Sequence, residues 1–206
     1  MAMLQRGDVA MISGVSMDSV KTLQAAGLKL VESPDGQINS VVLWGTWDHP
    51  EVPAANPKVR QALGLAINRQ EMADTLYSGK ARVPESFFAS PVSPYWDPQI
   101  FKAHTYDPVK AKALLAEAGY ANGFNITIFA YTASGIASMH VDMATVIVDY
   151  WKKIGVNASM QIVDTAAISP WHRAYPTDPH LVGQASMFRN LPSPLTSALG
   201  ETFLLP

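Results

Sequence analysis

The sequence contains no cysteine, which excludes a disulfide framework and any thiolate metal site. Long apolar runs are also missing: no stretch approaches the roughly 20 residues that a bilayer-spanning helix needs. Charge is scarce, at 16% of 206 residues, and Lys+Arg 15 against Asp+Glu 17 leave a formal net charge of -2. No basic excess exists to draw the chain to nucleic acid, and 48% apolar residues exclude a disordered chain. Catalytic signatures are lacking too. There is no GxSxG elbow, no phosphate-binding glycine loop, no GxGxxG and no HExxH. The opening MAMLQRGDVAMISG places Arg6 and Asp8 ahead of any apolar segment, so it does not read as a signal peptide. A soluble chain is expected, working in the cytoplasm or exported by a signal outside these residues.

What is present reads as one mixed α/β unit. Residues 7–13 (GDVAMIS), 28–33 (LKLVES) and 38–47 (INSVVLWGTW) are strand candidates, with a helix from Ser16 to Ala26 ahead of Gly27. A Pro-Asp-Gly turn is expected across Ser33 to Gln37. Asn56 and Pro57 form a helix start, and Val59, Ala62, Leu63, Ala66 and Ile67 make its apolar stripe. Asn68 and Glu71 are spaced as a capping box for a second helix ending at Gly79. YDPVKAKALLAEAGYANG (residues 106–123) is a helix clamped at both ends, capped by Asp107, begun by Pro108 and stopped by Gly119. A βαβ unit follows, with strands over 124–131 and 156–163 joined by a helix striped with Met139, Met143, Ile147, Tyr150 and Ile154. Its strands should be parallel. Beyond it, a turn-rich segment leads to a strand candidate within LVGQASMF (181–188) and a short helix in PSPLTSALG (192–200).

Candidate chemistry is thin. His49, His104, His140, His172 and His180 show no metal-ligand spacing, and His172 and His180 merely flank Asp178 on a proline-rich loop. Neither a metal nor a cofactor is expected. Asn125-Ile-Thr127 and Asn157-Ala-Ser159 match the glycosylation pattern but fall in predicted strands. Aromatic content is the stronger signal. The irregular stretch from Lys80 to Lys102 holds Phe87, Phe88, Tyr95 and Trp96, either as anchors under a loop or as the lining of a cleft. Trp44 and Trp47 stand where a strand runs out, a position from which they could touch a ligand, while Trp151 belongs to a helix core.

Two of these segments carry a family likeness. VRQALGLAINRQEM, with Arg60, Gln61, Ala62, Leu63, Ala66, Ile67, Asn68 and Arg69, is followed at family spacing by Tyr106, Asp107, Pro108, Leu114, Leu115, Ala118, Gly119 and Tyr120. Together they resemble the paired signature of bacterial extracellular solute-binding proteins of the peptide/nickel type, family 5. LQRGDVAMI and YWKKIGVNASMQIVD extend the resemblance from about Leu4 to Asp164. It implies an α/β fold, a mixed sheet flanked by helices that forms one lobe of a type II-like periplasmic binding protein. Residues 1–206 would be a single lobe, the C-terminal one, with the first lobe absent.

The same resemblance implies a substrate-binding component of an ABC transporter, outside the inner membrane, that captures a peptide or other small solute by hinge closure. Its partners would be an inner-membrane permease and the missing first lobe, not nucleic acid, and it would not be an enzyme. Dipeptide-type members place an aspartate late in this lobe for the peptide amino end; here MFRNLPSP offers Arg189 and Asn190 and no acid. Trp44, Trp47, Arg189 and Asn190 are therefore the expected ligand-binding residues, with Arg189 suited to a carboxylate or another anion. Opines, oligosaccharides and metal chelates stay open as ligands. A free-standing interaction domain and, further off, a small-molecule enzyme are the competing readings.

Overall fold

The computed structural model describes residues 2–12, 15, 17–31, 38–77, 79, 81, 83, 105–132 and 137–190. Two short helices open it, α1 (Ala2–Gln5) and α2 (Met17–Ala25), the latter followed by Gly27 at φ 79° as its stop signal required. The flanking segments over 7–12 and 28–31 are turns and coil rather than the expected strands. Each has a few apolar residues, but nothing among the described residues pairs with them, and a strand without a neighbour leaves its backbone groups to water. The Pro-Asp-Gly turn, the four aromatics between residues 80 and 102 and the 192–200 helix lie outside the described residues.

β1 (Ile38–Leu43) ends earlier than its β-branched run suggested, because Trp44 to Asp48 turn away around Gly45 at φ 79°. A single 3-10 turn, Pro53–Ala55, then feeds α3 (Pro57–Leu65), where the Asn56 side chain accepts from the Lys58 amide at 2.9 Å. In α4 (Arg69–Tyr77) only half of the capping box forms. The Glu71 amide donates to Asn68 Oδ1 at 3.2 Å, but the Glu71 carboxylate instead accepts from the Tyr150 hydroxyl at 2.7 Å. A tertiary partner has won the side chain that the local motif would have used. α5 (Pro108–Glu117) is built as its sequence dictates, with Asp107 Oδ1 accepting from the Lys110 amide at 2.8 Å and Gly119 at φ 88°.

β2 (Asn125–Thr132), α6 (Ala137–Lys153) and β3 (Asn157–Asp164) form the crossover unit, and β2 and β3 are parallel in register from Asn125↔Asn157 to Thr132↔Asp164. α7 (Thr165–Trp171) follows without the strong apolar stripe that would announce it. Asp164 caps it, and Pro170 sits in its last turn, where few helical bonds remain to be lost. β4 (Ala185–Asn190) completes one sheet of order β1-β4-β2-β3, parallel to β2 and antiparallel to β1.

Alternation along the strands divides the interior. Val41, Leu43, Ile126, Ile128, Ala130, Ala158, Ala185 and Met187 face α3, α5 and α6, in a main core that includes Leu63, Leu115, Ile147 and Trp151. The Trp151 indole donates to the Leu63 carbonyl at 3.1 Å, joining α6 to α3. The opposite face holds a smaller cluster of Trp44, Phe129, Ile168 and Leu181, with Tyr131 and Trp171 against it, closed by α7 and the loop before β4. The connections leaving β2 and β3 thus lie on opposite faces of the sheet. No helix among the described residues is long and apolar enough to cross a membrane.

Candidate functional site

Strand order locates the site. β2 passes through α6 to β3 on one side, and β3 passes through α7 to β4 on the other side of β2. In open α/β sheets such a reversal opens a crevice outside the carboxyl ends of the strands. Here the carboxyl ends of β2 (Tyr131, Thr132) and β4 (Arg189, Asn190) lie side by side, beside the start of antiparallel β1 and the first turns of α6.

Four side chains define this carboxyl edge. His140, fully buried, shares a 3.1 Å hydrogen bond between Nε2 and Asn39 Oδ1, and its ring stands edge-on to Tyr131 with centroids 4.6 Å apart. Arg189, opposite Asn39 in the ladder, is exposed. Burial, and then the Arg189 charge, push the His140 imidazole down to about 4. Burial pushes the Tyr131 phenol up, with Arg189 acting against that rise. Both are therefore neutral at physiological pH, and Arg189 is the charge of this group. The nearest strand-end acid, Asp164, uses Oδ1 to cap α7 through the Ala166 amide at 2.7 Å. None of the ion pairs among the described residues involves Arg189. The edge thus offers a guanidinium, a neutral imidazole, a phenol and an amide, a set whose one charge suits an anion.

The sequence-predicted residues do not converge. Arg189 and Asn190 stand at the carboxyl edge, whereas Trp44 and Trp47 lie past the other end of β1. The register runs from Asn39↔Arg189 to Leu43↔Ala185, which at about 3.3 Å per residue is about 13 Å of strand. Trp44 is buried at 8% exposure, and its indole donates to Ser186 Oγ at 2.9 Å. Ser186 also meets His172 Nε2 at 3.0 Å, and the His172 ring stacks on Trp44 at 5.1 Å and 8°. Trp44 N–H can only donate, so the serine hydroxyl hydrogen is free to point at His172 Nε2. That arrangement suits a neutral ring, and burial holds His172 down at about 4. A serine beside a histidine invites comparison with a nucleophile and its base, but Ser186 is fully buried and no substrate reaches it.

Trp47 is half exposed and edge-on to Trp44 at 5.7 Å. It borders a shallow hollow of about 650 Å³ with Asp48, Val52, Pro57 and Tyr120. Asp48 is pinned there by the Thr177 amide at 2.6 Å and the Thr177 hydroxyl at 2.8 Å. Burial raises the Asp48 pKa, but these bonds outweigh it and leave the carboxyl below its usual range.

Asn39, Tyr131, His140 and Ser186 escape sequence reasoning. Asn39 and His140 are 101 residues apart, and Trp44 and Ser186 are 142 apart. No local spacing signals such pairs. Among the described residues no group of three or more His, Cys, Asp or Glu could hold a metal ion.

Comparison with known proteins bears on the family and the fold. The sequence model of the bacterial extracellular solute-binding proteins, family 5 Middle, matches residues 1–196. The glutathione-binding protein GsiB of Escherichia coli (strain K12) is 35% identical over 129 residues, covering 62% of this chain and 24% of its own length. The chain thus spans about a quarter of the length of the curated relatives it matches. Two solved structures share the fold. MoaA from A. tumefaciens R10, in complex with mannopinic acid, has a TM-score of 0.70 at 21% identity, covering 94% of this chain and 36% of that one. A dipeptide binding protein from Pseudoalteromonas sp. SM9913, in complex with Met-Leu, has a TM-score of 0.67 at 24% identity, covering 95% and 37%.

Proposed function

Since this chain belongs to the bacterial extracellular solute-binding proteins of family 5, we propose that it forms one lobe of a receptor that captures a small solute for an ABC transporter. The ligand sits at the carboxyl edge, between this lobe and another part of a longer, periplasmic protein, and an inner-membrane permease receives it. Hinge closure is the mechanism: ligand favours the closed population because only that state touches it from both sides. No bond in the ligand is made or broken, so the site needs only shape and charge.

The observation that carries this reading is the position of Arg189 at the carboxyl edge, unengaged by any acid among the described residues and close to neutral Asn39, Tyr131 and His140. A guanidinium in such surroundings pairs two N–H groups with one carboxylate. The preferred ligands are peptides or peptide-like solutes oriented by a carboxylate, with Asn190 beside it. The relatives named for glutathione, mannopinic acid and a dipeptide are consistent with that class. Trp44 serves indirectly, holding β4 in place through Ser186.

The test is an NMR titration of the chain with short peptides bearing a free carboxylate and with the same peptides amidated. The free acids should move the resonances of Arg189, Tyr131 and Asn39 at millimolar concentration, and the amides at least tenfold less. Equal responses to acid and amide would remove the carboxylate grip. No response at the carboxyl edge, with shifts elsewhere, would remove the site itself.

A further inference from the structure

The amino edge of the sheet carries a second surface, at the opposite end from Arg189. The turn after β1 leaves Trp47 51% exposed beside the hollow it shares with Val52, Pro57 and Tyr120. Everything behind that ring is locked. Trp44 supports it edge-on and is anchored on Ser186, and Asp48 is bound twice by Thr177. Of the residues lining the hollow, Asp48 is the one with a formal charge. Glu51 stands exposed three residues on, paired with His49 at 2.8 Å. The nearby cations are committed elsewhere: Lys58 to Glu117 at 2.9 Å, and Arg60 Nη1 to the Ala54 and Ala55 carbonyls at 2.9 and 2.8 Å.

We propose that this hollow docks an arginine side chain presented by a partner protein, its guanidinium over the exposed Trp47 ring and against the Asp48 carboxylate. Two requirements of a guanidinium are met together. Its flat, weakly hydrated face favours the negative face of an indole. Its N–H groups need acceptors, and each Asp48 oxygen takes one bond from Thr177, leaving a lone pair on each. The shape selects a protein over a free small cation. A hollow this shallow leaves most of a small molecule in water, while an arginine on a polypeptide brings further contacts beyond the rim. Because about 13 Å of strand separates it from Arg189, this surface can be occupied with the carboxyl edge filled or empty, and it does not rest on the solute-binding reading.

The experiment uses the 206-residue chain and a peptide probe, acetyl-Gly-Gly-Arg-Gly-Gly-amide, against the same peptide with citrulline in place of arginine. Capped termini leave no carboxylate for Arg189. The Trp47 indole resonance, assigned through Trp47→Phe, should shift saturably with the arginine peptide. Citrulline keeps the planar shape without the charge and should bind about fivefold or more weakly. Trp47→Ala should abolish the response, and Trp47→Phe should retain an intermediate affinity. Both substitutions are at an exposed side chain, so the fold survives them. Equal shifts from both peptides, no shift of the Trp47 indole at millimolar arginine peptide, or unchanged binding by Trp47→Ala would each overturn the proposal.

Discussion

His140 and His172 show how burial makes single residues sensitive to acid. Each imidazole lies at about 4 in the folded protein against 6.5 unperturbed. Between those values the unfolded chain binds protons that the folded chain refuses, so acid favours unfolding. Stability should be full above about pH 6.5 and fall as pH drops toward 4, by up to roughly 3 kcal/mol for a fully buried ring. Urea denaturation at pH 7, 5.5 and 4 measures that slope. His140→Gln keeps a partner for Asn39 without a titrating ring and should flatten part of it; an unchanged slope would show that His140 is not a source. Ser186 is the other sensitive residue, because Ser186→Ala strands the Trp44 N–H in the core. That change should cost about 1–3 kcal/mol in urea, whereas Ser159→Ala, on the exposed edge strand, should stay within about 0.5 kcal/mol.

Elements are held at their ends here more than by propensity. α5 is short, and its start rests on Asp107, so Asp107→Ala should cost about 1 kcal/mol. Two glycines after it separate two kinds of constraint. Gly119, at φ 88°, has open space where a Cβ would project, so Gly119→Ala should cost only the left-handed backbone, about 1–2 kcal/mol. Gly123, at φ 73°, would place a Cβ 1.9 Å from the Gly155 carbonyl oxygen. There the α5–β2 turn and the α6–β3 turn meet backbone to backbone. Gly123→Ala should therefore destabilise clearly more than Gly119→Ala, and thermal melts of the two variants side by side decide it. Equal losses would mean that the two turns separate easily.

At the scale of the molecule, the two proposed surfaces lie at opposite ends of the sheet. The carboxyl edge presents Arg189 among neutral partners, and the amino edge presents Trp47 beside Asp48. In the longer receptor proposed for this chain, closure brings a second lobe onto the carboxyl edge. Ligand should then reduce the radius of gyration in small-angle scattering of the two-lobed protein. Arg189→Gln should remove that response to carboxylate ligands while leaving the melting temperature within about 2 °C, because the side chain is exposed. Contraction that persists in Arg189→Gln would place the ligand's main grip elsewhere.

Much of this was legible in local sequence. Asn56-Pro57 and Asp107-Pro108 announce helices because capping bonds span only two or three residues. The β2–α6–β3 unit is visible because buried faces repeat at fixed periods. The paired family signature follows from the same segments, and it is architectural: Arg60, Leu63, Ala111 and Leu115 shape α3 and α5, not the carboxyl edge of the sheet. Local pattern also misleads where pairing is missing, as at 7–12 and 28–31, and it passes over α7, which is short and weakly striped. Which side chains meet was decided only in three dimensions. Strand register sets Arg189 against Asn39 and holds Trp44 beyond Leu43, more than about 13 Å of strand away, and the first turns of α6 bring His140 over Tyr131 from a separate element. Caps and periodicity are properties of neighbours along the chain, whereas register and strand order depend on how the whole chain packs.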